Sequence, residues 1–225
     1  MLNYSSFVFP ARMQEAGILA RQKKFEAALE IVDQLESDEP EQQLNIIMVK
    51  GDILMRANRF DQAYSHFNLA IEQQPKSIPL LYSRSMAADK LGEYHISETD
   101  LLTILEIDEN NVDAMNALGY TLANRNQDLD RALNYLQRAM ELKPDNAAII
   151  DSLGWAYYRL GDLEQAHQYL RQALELMYDA EIAAHLGEVL WMKGEHDRAR
   201  HVWQKALERD PEHLILLETV NRLDP

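Results

Sequence analysis

Residues 147–178 read AAIIDSLGWAYYRLGDLEQAHQYLRQALELMY, and this stretch decides the fold. Apolar residues return at helical spacing on both sides of one break, Gly161. That pattern predicts two amphipathic helices joined by a tight turn. The pattern then repeats along the chain. Small residues inside apolar stretches recur at Ala28, Ala63, Ser97, Ala132, Ala166 and Ala199, with gaps of 35, 34, 35, 34 and 33. A second series, Leu35, Ala70, Ile104, Ala139, Ala173 and Ala206, keeps the same gaps.

Glycine and proline punctuate this period. Gly51, Gly119, Gly154 and Gly187 fall at the eighth position of a repeat, in mid-helix. Glycine costs about 1 kcal/mol against alanine there, so close helix–helix approach is the reason to expect it. Gly92, Gly161 and Gly194 fall at the fifteenth position, where the first helix ends and φ > 0 is useful. Pro40, Pro75, Pro144 and Pro211 fall between repeats, where each is expected to stop a second helix. Ala16 and Ser85 stand where the eighth-position glycine is usual, and repeat 4 has an extra residue that lengthens the turn Asn124–Asp128. Repeats 1 to 3 fit the pattern less closely than repeats 4 to 6.

Period and motif together resemble the tetratricopeptide repeat, a 34-residue helix–turn–helix. Segment 147–178 carries the resemblance in Leu153, Gly154, Tyr157, Gly161, Ala166, Leu170 and Ala173. Segment 180–211 repeats it in Leu186, Gly187, Leu190, Gly194, Ala199, Trp203, Ala206 and Pro211. The fold class implied is all-α: an α-solenoid of six repeats, at about 9–43, 44–77, 78–111, 112–146, 147–179 and 180–211. Residues 212–225 carry Leu214, Leu217, Val220 and Leu223 and are expected to form a capping helix, which a terminal repeat needs. Residues 1–8 are expected to be a stub of a longer solenoid or an improvised cap.

Bulk composition excludes several functions. Twenty-two Lys and Arg against 37 Asp and Glu leave a net charge of −15, spread evenly along the chain. Nucleic acid is therefore not an expected partner, because phosphate binding needs clustered cations. No cysteine is present, which removes disulfides, thiolate catalysis and cysteine-based zinc sites. No apolar run reaches the roughly 20 residues that cross a bilayer. His185 and Glu188 lie three apart on one helix, a spacing that could share a metal. Two ligands are too few, so a polar pair on a repeat surface is the expectation. No phosphate loop, nucleophile elbow or His–Glu–x–x–His motif occurs. The expectation is a protein that is not an enzyme and has no cofactor and no metal.

In the resembling family the first helix of each repeat lines a concave groove. Carried onto this sequence, the lining includes Met48, Met55, Tyr82, Met86, Asn116, Tyr120, Trp155, Tyr158, Arg159 and Trp191. Methionine adapts to varied partners, and Trp and Tyr anchor interfaces. Packing of these rings between neighbouring first helices is the alternative. The carboxylate-binding and asparagine-ladder patterns of the family are absent. An apolar, aromatic groove suits an extended peptide or an amphipathic helix.

A closer resemblance rests on three runs: ALGYTLA at 117–123, DSLGW at 151–155 and AAHLGEVLW at 183–191. They resemble the C-terminal part of tetratricopeptide lipoproteins of Gram-negative bacteria, some of which are adaptors of a periplasmic C-terminal processing protease. This implies a non-catalytic scaffold that delivers substrates to that protease on the periplasmic side of the outer membrane. A lipid anchor would lie upstream of residue 1. A self-assembling structural protein (a homo-oligomer), a targeting domain of a larger chain, and a cytoplasmic location are the alternatives.

Overall fold

The computed structural model describes residues 4–224, with side chains from residue 9 onward. Among the described residues there are thirteen helices and no strand. In chain order they are α1 (Tyr4–Arg21), α2 (Phe25–Val32), α3 (Pro40–Arg56), α4 (Phe60–Gln73), α5 (Ile78–Leu91), α6 (Tyr94–Ile107) and α7 (Val112–Asn124). They continue with α8 (Leu129–Leu142), α9 (Ala147–Leu160), α10 (Leu163–Leu176), α11 (Ala180–Met192), α12 (His196–Arg209) and α13 (Leu214–Leu223). Contacts divide the chain into two compact units, Met1–Glu109 and Asn110–Pro225. Within each unit an odd-numbered first helix pairs with the even-numbered second helix that follows it, and α13 packs on α11. The notion of residues 1–8 as a stub or cap falls partly outside the described residues; α1 already begins at Tyr4.

The mid-helix glycines work as the spacing predicts. A β-carbon on Gly154 would sit 2.8 Å from Leu170 Cγ and 3.1 Å from its backbone nitrogen. Gly51, Gly119 and Gly187 receive Phe67, Leu136 and Trp203 in the same way. Each large side chain on a second helix thus fills the gap left by a missing side chain on the first. In repeat 3 the place of glycine is taken by Ser85, fully buried, whose hydroxyl donates to Tyr82 O at 2.7 Å. The small-residue series Ala28, Ala63, Ser97, Ala132, Ala166 and Ala199 is buried throughout.

The turns within helix pairs share one feature. Lys23, Asn58, Gly92, Asn126, Gly161 and Gly194 all adopt a left-handed backbone, with φ between 55° and 86°. The sequence marks only three of these positions with glycine; the geometry is common to all six. The longer turn after α7 contains a second left-handed residue, Asp128, whose carboxylate accepts from Arg131 N and caps α8.

Two expectations fail in the first unit. The spacing places Leu35 in a helix, but α2 ends at Val32 after eight residues, where α4, α6, α8, α10 and α12 each have 14. Pro40 does not stop a second helix; it opens α3. At that position its missing N–H is one no helix bond needs, and its fixed φ suits the first turn.

Candidate functional site

In the first unit, Met48 and Met55 on α3 and Tyr82 and Met86 on α5 are all half-buried. Ser83 Oγ approaches Met48 Sδ at 4.0 Å, which brings α5 and α3 together at one of these positions. A buried polar group beside them has no counterpart in the sequence reading. Arg84 on α5 donates to both oxygens of Asp100 on α6, at 2.9 and 2.6 Å, and to Asn68 Oδ1 on α4 at 2.6 Å. Asp100 is 1% exposed, so the bidentate pair is the compensation its charge needs. The hydrogen bond to Asp100 holds the Arg84 pKa above its ordinary value.

In the second unit the first helices α7, α9 and α11 carry the remaining predicted positions, and a chain of polar and aromatic contacts connects most of them. Trp155 on α9 is 6% exposed and stacks on His185 of α11, ring centroids 4.2 Å apart. Tyr158 lies 4.9 Å from Trp155, and the Arg159 guanidinium sits 5.8 Å from the Trp155 ring. Tyr120 on α7 lies 6.3 Å from His185 and donates its hydroxyl to Glu181 Oε1 at 2.9 Å. Trp155 is therefore the floor of this face, packed between first helices. Trp191 lies elsewhere: its ring contacts are His196, Trp203 and Arg200, all on α12. The Oδ1 of Asn116 and the Nε1 of Trp155 are buried without a hydrogen-bond partner.

His185 and Glu188 are not a surface pair. Both are buried, and they face different partners. His185 Nδ1 lies 3.0 and 3.2 Å from the two oxygens of Asp151 on α9. Burial pushes the His185 pKa down, but the carboxylates of Asp151, Glu181 and Glu188 outweigh it, and the net direction is up. Glu188 accepts from the Tyr158 hydroxyl at 2.9 Å and from Arg222 on α13 at 2.6 Å. Burial, reinforced by the Glu188 charge, pushes the Tyr158 hydroxyl up to about 12. These pairs could be found in the sequence only by comparing positions about one repeat apart, since Asp151 and His185 are separated by 34 residues. Among the described residues, no three His, Asp or Glu side chains converge as metal ligands.

Where this face meets solvent, Tyr158, Arg159, Glu188, Met192 and Arg222 line a cleft of about 600 Å³. Met192 is 54% exposed. The hydroxyls of Tyr120 and Tyr158 are committed to carboxylates, and the Asp151–His185 pair is closed over by Trp155. The groups presented to solvent are an apolar side chain, a ring edge and two guanidinium groups, above Tyr158 and Glu188 whose hydroxyl and carboxylate are already paired.

Tetratricopeptide repeat sequence models match residues 111–179 and 152–214, both inside the second unit. The chain is 36% identical over 179 residues to the TPR repeat-containing protein PA4667 of Pseudomonas aeruginosa, covering 80% of this chain and 30% of that protein. It spans under a third of the length of the curated relatives it matches. A thermophilic tetratricopeptide protein of Thermus thermophilus superposes with a TM-score of 0.71 at 26% identity, over 79% of this chain and 97% of that one. A tetratricopeptide repeat protein of Parabacteroides merdae also gives 0.71, at 15% identity, over 96% of this chain and 85% of the other, which is a likeness of fold alone. Proteins of this kind generally mediate protein–protein interaction on a scaffold that is generally non-catalytic. With its paired helices, its glycine-for-side-chain packing and these matches, the chain is an α-solenoid of tetratricopeptide repeats.

Proposed function

We propose that this protein is a non-catalytic adaptor that holds an extended peptide or an amphipathic helix on the first-helix face of its second unit. The observation that carries this reading is the cleft of Tyr158, Arg159, Glu188, Met192 and Arg222. Its floor is held by the Tyr158–Glu188–Arg222 hydrogen bonds, so little ordering remains to be done when a ligand arrives. Its rim offers an exposed methionine and a guanidinium over an aromatic ring, groups suited to a partner with apolar and acidic side chains.

The partner is a C-terminal processing protease of the Gram-negative envelope or its substrates, and the protein acts on the periplasmic side of the outer membrane through an anchor upstream of residue 1. The resemblance of the runs at 117–123, 151–155 and 183–191 is what supports this narrower reading. A photo-crosslinking residue at Met192 in Gram-negative cells tests it. An adduct containing the protease or a substrate, lost with Arg159→Glu, is expected. Adducts with the protein's own copies alone would favour self-assembly, and no adduct at all would remove this cleft as the binding site.

A further inference from the structure

Helix α2 is the shortest of the second helices, and a cleft runs between it and α4. It has eight residues where its counterparts have 14, so about 9 Å of helix is missing at 1.5 Å per residue. Residues 33–39 link it to α3. Ser37 of this link is tied to α3, where Gln43 Nε2 donates to Ser37 O at 2.8 Å and Ser37 Oγ donates to Gln42 Oε1 at 3.0 Å. Of the link, only Asp33 reaches the cleft of about 630 Å³ that opens between α2 and α4, over α3.

The cleft is apolar at its centre and acidic at its edge. Leu29 and Leu54 form the buried floor, while Leu69 on α4 is 62% exposed. Four carboxylates line it, against Lys50 and Arg59. Lys50 is bound to Asp33 at 2.7 Å, and Arg59 to Glu26. That accounts for both cations and leaves Glu30 and Asp61 as surplus negative charge around an exposed leucine.

We infer that the cleft between α2 and α4 docks a basic amphipathic helix of a partner protein, laid lengthwise between these two helices. An apolar side chain of that helix covers Leu69, and Lys or Arg residues flanking its apolar stripe meet Glu30 and Asp61. Complementarity of this kind fixes register and excludes acidic helices of the same shape. The surface belongs to the second-helix layer of the first unit, so it goes beyond the first-helix face proposed above.

The test uses the full chain and two fluorescent 18-residue peptides with leucine at positions i, i+3, i+4 and i+7. One carries lysine at its polar positions and the other glutamate. Fluorescence anisotropy at about 0.15 M salt suppresses attraction beyond roughly 8 Å. The lysine peptide is expected to bind and the glutamate peptide not to. Glu30→Lys with Asp61→Lys should weaken binding at least tenfold, and so should Leu69→Asp; all three side chains are exposed, and thermal melts confirm that the fold survives. The charge-matched variant Glu106→Lys with Asp145→Lys should bind as wild type does. Equal weakening by that control would reduce the effect to net charge and overturn the inference. So would unchanged binding in the Leu69→Asp variant, or no binding of the lysine peptide to wild type.

Discussion

A leucine at Gly154 would force the α9–α10 seam open. Leu170 already occupies the space, with its backbone nitrogen 3.1 Å from where the β-carbon would stand. Gly154→Leu is expected to destabilise the second unit by about 3 kcal/mol or more, at or above the usual overpacking range, read from a urea titration. His185 makes a second prediction at this scale. Its folded pKa is raised above the ordinary 6.5, so the stability it contributes is fully present below that value and is lost as pH rises through the folded pKa. Wild type should therefore lose stability on going from mildly acidic to alkaline pH, and Asp151→Asn should flatten that slope; parallel pH profiles for the two proteins would mean that the imidazole is neutral when folded. These residues also mark where sequence reading stops. The role of Gly154 was legible because a mid-helix glycine weakens its own helix, and its return at a fixed repeat position ties that cost to the approach of a neighbouring helix. The burial of Trp155 was not, because the same first-helix position can face solvent or the next first helix, and the choice depends on the partner ring one repeat away. His185 drew notice for Glu188 three residues on, while its hydrogen-bond partner was 34 residues back.

Among the helices, the turns within pairs carry the clearest consequence. Six share a left-handed residue, yet one of the six is Lys23, with φ 60°. A β-carbon costs about 1–2 kcal/mol there, partly offset by the roughly 0.5–1 kcal/mol that glycine loses in chain entropy. Lys23→Gly should thus raise stability by about 0.5–1 kcal/mol, visible as a higher melting temperature of the α1–α2 pair. Capping separates the helices further. In α7–α11 and α13 a side chain at the N-cap accepts from a first-turn N–H, as with Asn146 to Ala148 N at 3.0 Å and Asp179 to Glu181 N at 2.8 Å. The N-caps of α2 to α6 make no such bond. Helix starts are readable from sequence where Asn or Asp stands at the cap, and much less so where Lys, Glu or Arg does. The early start of α3 at Pro40, behind Glu39, is of that second kind.

For the molecule as a whole, the same contrast separates the two units. Side-chain caps contribute about 1 kcal/mol each, and the second unit has most of them along with the repeat-family matches. Native-state hydrogen exchange should show slower opening of α7–α11 than of α2–α4; equal protection would mean that tertiary packing overrides the caps. One feature of the first unit opposes this weakness. Repeat arrays hold together through contacts between neighbours, so a chain pulled from its ends sheds helix pairs in turn. Arg84 joins α5 to Asp100 on α6 and to Asn68 on α4, and so rivets two successive pairs into one. Stretched in an optical trap, residues 40–107 should therefore let go in a single rip of about 24 nm at ~3.6 Å per residue. With Arg84→Met and Asp100→Leu together, which leave no orphaned charge, the rip should split into two of about half that length. The rivet makes this part of the molecule a mechanical fuse: below its rupture force both pairs stay closed, and above it both are lost at once.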